Sequence, residues 1–378
     1  MVRFGVIGLG NMGSGHVKTI GNIEGSVVTA VSDEDPTRLA QYPDVKQFAS
    51  PEALIKSGEV DAVLIATPHY SHTSIGILAL EQGLHVLTEK PISVHKADAE
   101  RLIAAWTPGK QLFGAMFNQR TDPYYQKIRE IVQGGELGEI VRVSWLITNW
   151  FRTDAYYSSG GWRATWAGEG GGVLLNQCPH NLDLFQWICG MPSKVVAFCG
   201  FGKRHDIEVE DEVTAYFEYP NGATGVFVTS TGEAPGTNRF EIAGDKGKLV
   251  YENDTIVVVR NDVSASEFCK TSKEAFASPK TTREEFKPEG HGGQHKAVIE
   301  NFVNSIANGS PLVAPAEEGI FSIELANAML LSSWTGAPVT LPLDSAVYAA
   351  ALDEKVKNSR FKKTVHTDVT VDMSKSVT

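Results

Sequence analysis

Two short stretches of this chain carry residues whose types and spacing can do chemistry. The first is Glu89-Lys90-Pro91, which closes a mostly apolar run from Leu84 to Thr88. A buried ammonium is costly unless it is paired. At a crevice, Lys90 can hydrogen-bond a hydroxyl and stabilise an alkoxide developing there. Read blandly, it is an exposed lysine paired with Glu89. Pro91 fixes the turn, and an X–Pro bond can do so in the cis form. The second stretch runs from Gly170-Gly171-Gly172 through Asn176 and His180 to Asp183. Asn176 is placed to cap a helix, Pro179 is tolerable in its first turn, and His180 sits one turn in. Asn176 and His180 are then expected on the same side. A histidine titrating near neutrality is the natural base for a hydroxyl proton. Read blandly, Asn176 is only a cap and His180 a packed polar residue.

A third group reads as a cradle for a dinucleotide. The apolar run Val2 to Ile7 enters Gly8-Leu9-Gly10-Asn11-Met12-Gly13, and a helix-like segment follows. Gly8 allows the tight turn, Gly10 lets the backbone approach a pyrophosphate, and Gly13 lets helix and strand pack closely. The free N–H groups of the helix start, from Asn11 and Met12 onward, attract the phosphates. A second strand, Val27 to Val31, ends in Ser32-Asp33-Glu34, and Asp33 lies 20 residues past Gly13. At that place a carboxylate accepts hydrogen bonds from ribose hydroxyls. A 2′-phosphate there would meet Asp33, Glu34 and Asp35, so NAD is favoured over NADP; Arg38 keeps NADP as the lesser alternative. The run Val60 to Ala66 ends in Thr67-Pro68-His69, with His72 just beyond. Ligands of open α/β sheets bind at the carboxyl ends of strands, which puts these residues on the nicotinamide side.

The elements that must hold these groups follow from pattern and length. At 378 residues the chain reads as two domains, since single cores rarely grow past ~250–300 residues. The first third alternates strand and helix, with Asp35-Pro36 and Ser50-Pro51 marking helix starts. Gln111 to Phe117 supplies its last strand. This predicts an α/β fold: a Rossmann-type, doubly wound parallel sheet over residues 1–120. Residues 121–378 change pattern. Strands are expected at Ile140–Thr148, Lys194–Gly202, Glu212–Tyr219, Ala223–Thr231, Arg239–Ala243, Lys248–Tyr251 and Thr255–Arg260. Pro220-Asn221-Gly222 and Gly244 to Gly247 read as hairpin turns. Helices are expected at Asn181–Ile188, His295–Ile306, Glu317–Ser333 and Asp344–Asn358. The whole predicts an α+β domain with a large, mostly antiparallel open sheet. Asn261 to Gly293 reads as a polar loop, and the tail after Lys363 has no helical period.

Composition narrows the partners. The net charge is −11, which argues against nucleic acid or an anionic membrane surface. Four cysteines without C-x-x-C spacing read as reduced thiols of a cytoplasmic protein, with no metal site or disulfide framework. No leader or ~18-residue apolar span is evident. His291 and His295 stand at a helix start, and two histidines alone do not make a metal site.

With its glycine loop, Glu89-Lys90-Pro91 and the Gly170–Asp183 segment in this order, the chain resembles the Gfo/Idh/MocA family of NAD(P)-dependent sugar and polyol oxidoreductases. The resemblance runs to the closing Val339-Thr340-Leu341-Pro342-Leu343. It implies that Lys90 touches both substrate and nicotinamide ribose, with Glu89 beside it, and that His180 is the catalytic histidine. Asn176 stands where many members have aspartate. An amide cannot take a proton, so His180 is left as the base, with Lys90 and Asn176 orienting hydroxyls. Asn118, Trp162 and Arg163 resemble positions beside the cofactor or the sugar. The aromatic-rich stretch from Trp150 to Trp162 suits the C–H faces of sugar rings, with Arg152, Tyr157 and Arg163 as substrate contacts; a packed loop is the plain alternative. The implied reaction is reversible hydride transfer between a secondary hydroxyl of a sugar, glycoside or cyclic polyol and nicotinamide. A redox-neutral, NAD-assisted glycosidase and a non-catalytic NAD(H)-binding sensor are the alternatives. The resemblance also implies a homo-oligomer, dimer or tetramer, formed through the open sheet.

Overall fold

Apolar strands flanked by glycine turns and capped helices build the first layer. The structure is a computed structural model, and it describes residues 1–366. Six strands, β1 (Val2–Ile7), β2 (Ser26–Ser32), β3 (Lys46–Phe48), β4 (Ala62–Ile65), β5 (His85–Thr88) and β6 (Phe113–Ala115), form one sheet ordered β3-β2-β1-β4-β5-β6. All its pairings are parallel. The order reverses between β1 and β4, where both strands run toward the same carboxyl-end crevice. The expected helix starts are in place: Asp35 caps Pro36–Leu39 and Ser50 caps Pro51–Ile55. The short edge strand β3 has no signature in the sequence, since three residues carry no period.

The remaining strands, β7 (Ile140–Ile147), β8 (Lys194–Phe201), β9 (Glu210–Glu218), β10 (Thr224–Ser230), β11 (Asn238–Gly244), β12 (Gly247–Glu252), β13 (Thr255–Asn261), β14 (Thr281–Phe286) and β15 (Val339–Thr340), make a second sheet. Its order is β14-β13-β12-β11-β7-β10-β9-β8-β15. Among the described residues, only β7 and β10 of this sheet pair in parallel. One face alternates into a core of Trp145, Phe217, Phe227, Phe240 and Leu249, covered by the helices Pro123–Gln133, Pro179–Cys189 and Gly319–Thr335. The other face is open and carries Leu146, Phe198 and Tyr216 exposed.

Asn261 to Gly293 is not the loop expected. It holds a helix, Ala265–Thr271, and the edge strand β14. The edge strand Thr281–Phe286 reads Thr-Thr-Arg-Glu-Glu-Phe and is exposed almost throughout, so it has no apolar alternation to betray it. The tail expectation beyond His366 lies outside the described residues.

Candidate active site

The dinucleotide cradle is built as its glycines require. Gly8 has φ +89, in the left-handed region, and a Cβ on Gly13 would lie 1.7 Å from the Gly8 carbonyl oxygen. A Cβ on Gly10 would meet nothing within 4 Å, so the backbone there faces open space. The helix Asn11–Ile20 begins at Gly10 without a side-chain cap, leaving its first N–H groups for an anion. Asp33 closes the loop from below. Its Oδ2 accepts from the Leu9 N–H at 2.7 Å and its Oδ1 from the Asp35 N–H at 2.9 Å. Arg38 Nη1 stands 3.4 Å from Asp33 Oδ2. At the end of β4, the buried Thr67 Oγ1 has no partner among the described residues. Together the glycines, the uncapped helix start and this hydroxyl fit a dinucleotide: Gly8 to Gly13 for the pyrophosphate, Asp33 for the ribose, Thr67 and Pro68 near the nicotinamide.

The histidines beside the cradle divide by role. His72 lies between two backbone carbonyls, with Nδ1 2.8 Å from the Pro91 oxygen and Nε2 2.8 Å from the Thr67 oxygen. Carbonyl oxygens face both ring nitrogens, so His72 links the turns after β4 and β5, its one N–H donating to one of them. His69 opens the helix His69–Glu81 under Pro68, its Nδ1 3.3 Å from the Glu169 carbonyl and its ring edge-on to Trp162. Burial holds its imidazole well below the ordinary value. His16, not singled out in the sequence, pairs its Nε2 with Glu89 Oε1 at 2.7 Å. The two are buried, and burial pushes against the hydrogen bond and charge of His16, which keep Glu89 ionised. Glu89 is thus the partner of His16, and its other oxygen accepts the Lys90 N–H at 3.2 Å.

That frees the Lys90 ammonium to reach across the chain. The Lys90–Pro91 bond is cis, and Nζ donates to the Asn176 carbonyl at 2.8 Å. Burial lowers the Lys90 pKa, with Glu89 and Glu169 holding the cation. The Gly170–Gly172 turn is tight enough to need glycine. Gly170 has φ +78, and a Cβ on Gly172 would lie 2.0 Å from the Glu210 carbonyl oxygen. Asn176 does not cap the helix as expected. The helix Pro179–Cys189 starts two residues later under Cys178, without a side-chain cap. The Asn176 amide instead donates to Glu169 Oε1 and accepts from the Tyr156 hydroxyl at 3.1 Å. His180 lies in the first turn of that helix, 8 % exposed, its ring edge-on to Phe117. Its Nδ1 has no partner among the described residues. Burial, then Lys90 and His295, hold its pKa well below the ordinary histidine value. The imidazole is neutral at physiological pH, which is the state a base needs. Asp183, one turn on, anchors this helix through a buried ion pair with Arg120, Nη2 to Oδ1 at 2.6 Å.

The aromatic stretch is sorted by the structure. Tyr157 is 4 % exposed, and its hydroxyl meets Thr231 Oγ1 at 2.7 Å. Its ring belongs to the core and its hydroxyl is taken up by Thr231. The hydroxyl of its neighbour Tyr156 accepts from Arg163 Nη1 at 2.8 Å and Gln177 Nε2 at 3.1 Å. The Arg163 guanidinium lies 4.6 Å from the ring centroids of both Tyr156 and Trp162. The Arg152 guanidinium lies 5.3 Å from the Tyr156 ring. Asn118 donates to Gln294 Oε1 at 2.6 Å, and its own Oδ1 is buried without a partner among the described residues. His295 sits in the first turn of the helix Gln294–Asn308, its ring 5.6 Å from His16, while His291 pairs with Asp122 at 2.9 Å. No group of three metal-ligating side chains occurs among the described residues. Tyr156, Glu169, Gln177 and His16 carried no motif of their own; only the contacts single them out.

Fold and site define a class, an oxidoreductase with an NAD-binding Rossmann domain. Residues 2–114 match the model of the oxidoreductase family with an NAD-binding Rossmann fold, and residues 125–250 match the GFO/IDH/MocA C-terminal domain. The chain belongs to the Gfo/Idh/MocA family and is an NAD-dependent dehydrogenase by class. It is 25% identical to the myo-inositol 2-dehydrogenase of Thermotoga maritima over 343 residues, spanning 86% of this chain and 95% of that one. The inositol 2-dehydrogenase 1 of Saccharopolyspora erythraea is 38% identical over 149 residues, 38% of this chain and 44% of that one. The WlbA dehydrogenase of Chromobacterium violaceum, solved with NADH and UDP-GlcNAcA, superposes with a TM-score of 0.78 at 26% identity over 91% of this chain and 96% of that one.

Proposed function

We propose that this protein oxidises a secondary hydroxyl of a sugar, glycoside or cyclic polyol, reversibly, with His180 as the base and Lys90 as the group that polarises the oxygen. The observation that carries the reading is the Lys90–Asn176 hydrogen bond, which ties the end of β5 to the segment bearing His180. NAD, when bound by the glycine loop and Asp33, supplies the hydride acceptor. Lys90 stabilises the negative charge that grows on the hydroxyl oxygen, because an ammonium in a dry crevice acts through a low dielectric. His180 takes the hydroxyl proton on its neutral ring. Asn176, Tyr156 and Arg163 orient the remaining hydroxyls, and the Trp162 face packs against C–H surface. The inositol dehydrogenases among the relatives support a cyclic polyol as the first substrate to try. The open sheet face supports a homo-oligomer. The test is NADH formation from NAD, and separately NADPH from NADP, against inositols, aldoses, glycosides and a nucleotide-linked sugar acid. NADH appearing with one substrate establishes the reaction. Tight NADH binding with no net reduction, and cleaved glycoside among the products, overturns it in favour of redox-neutral chemistry. No helix among the described residues is long and apolar enough to cross a membrane.

A further inference from the structure

Asn176 is gripped from two sides, and the second grip comes from a residue with no role in the reading above. Lys90 holds its backbone carbonyl, and Glu169 holds its side chain. Glu169 is 1 % exposed. Its Oε1 accepts from Asn176 Nδ2, and its Oε2 accepts from the Ala164 N–H at 2.6 Å. An ionised carboxylate only accepts, so it dictates which end of the Asn176 amide faces it. The amide oxygen is thereby turned to the Tyr156 hydroxyl, whose proton must point at it. The tyrosine oxygen is then left to accept from Arg163 and Gln177. Every donor in the chain, from Arg163 through Tyr156 and Asn176, points toward Glu169. A network with one terminal acceptor has one low-energy arrangement, and its members stiffen each other.

We propose that Glu169 is the positioning residue that fixes the Asn176 amide and, through it, sets the carboxylate charge on this side of Lys90. Glu169 and Asn176 act as a unit bearing one negative charge beside Lys90. The proposal rests on the dehydrogenase reading for its catalytic meaning but not for its geometry. The charged and titratable groups facing Glu169 are Arg163, Lys90 and Lys363, with Glu210, Tyr157 and, at its backbone carbonyl, the His69 ring. Burial raises the Glu169 pKa, while Arg163, the Ala164 N–H, Asn176 and Lys90 oppose it.

The pair makes a prediction that a merely structural glutamate does not. Asn176→Asp puts a second carboxylate against Glu169 Oε1. Two carboxylates in hydrogen-bond contact cannot both ionise, so they share one proton with a raised pKa. A raised folded pKa stabilises at acid pH, and that stability is lost as pH rises through it. N176D should therefore unfold at progressively lower temperature, relative to wild type, from mildly acid to mildly alkaline pH. Glu169→Gln with N176D restores one carboxylate and one amide with their places exchanged. The E169Q and N176D single variants should each lose about tenfold or more in kcat/KM at neutral pH, and the double variant should return to within about threefold of wild type. Thermal unfolding against pH and steady-state NADH formation, on wild type, both singles and the double, decide it. If N176D does not fold but the double does, the pair is supported. A double no better than the worse single in both readouts, or failing to fold where E169Q folds, overturns it. Stability coupling without NADH formation by wild type from any substrate tried leaves the pair standing and sinks the proposed substrate class. Turnover by wild type without coupling does the reverse.

Discussion

Single side chains set the chemistry of this site through what surrounds them. The deep burial of His180 keeps its imidazole neutral below the ordinary histidine range. The acid limb of kcat/KM for alcohol oxidation should accordingly lie below about 6.5, because the base is lost only as pH falls through the depressed value. His180→Ala should cost about a hundredfold or more in kcat with folding intact, measured by turnover and circular dichroism. Tyr156 and Tyr157 make an internal control. Tyr156→Phe removes the hydroxyl that joins Arg163, Gln177 and Asn176, and should lower kcat/KM by about tenfold. Tyr157→Phe loses a buried bond to Thr231 and should cost about 1 kcal/mol of stability with turnover near wild type. The reverse ranking would move the substrate to the other tyrosine.

At the scale of elements, two carboxylates brace the loops that carry the site. Asp33 holds the glycine loop by accepting from Leu9 N–H, the place where it would also meet ribose hydroxyls. Asp33→Ser should weaken NAD binding by about tenfold and narrow the preference over NADP, since Arg38 then keeps only Asp35 of its two anionic neighbours. Titration of both cofactors by fluorescence checks this. Glu210 holds the Gly170–Leu174 turn, its Oε1 accepting from the N–H groups of Gly172 at 2.8 Å and Leu174 at 3.0 Å. Burial pushes its carboxyl up to about 7. A raised pKa adds stability that is present at acid pH and lost as pH rises through about 7. Glu210→Gln should flatten the stability profile between mildly acid and neutral pH, as read by chemical denaturation at several pH values. An unchanged profile would assign that slope to other groups.

On the scale of the whole molecule, the second sheet buries one face and leaves the other to solvent. Phe198 is 74% exposed, and Leu146 and Tyr216 share its face. A row of this kind on an open sheet favours self-association. Phe198→Glu should shift the solution mass toward the protomer at equal concentration, measured by light scattering. A wild-type protein that is already monomeric would refute the oligomer.

Local pattern made much of this legible. A strand, a tight glycine turn, a helix and a spaced acid are consecutive in the chain, so the cradle could be read directly from Val2 to Asp33. Alternating strands and cap residues likewise marked both sheets. Edge strands escaped, because β3 is three residues long and β14 is polar on both faces. The site is a different matter. Sequence identified Lys90 and His180 as candidates by residue type and motif. Which of two adjacent tyrosines faces the amide, whether Asn176 caps a helix or joins Glu169, and whether His72 is free or clamped between two carbonyls depend on contacts between segments far apart in the chain. Such contacts are decided by how the two sheets and their helices pack, and tertiary packing leaves no period in the sequence for a reader to find.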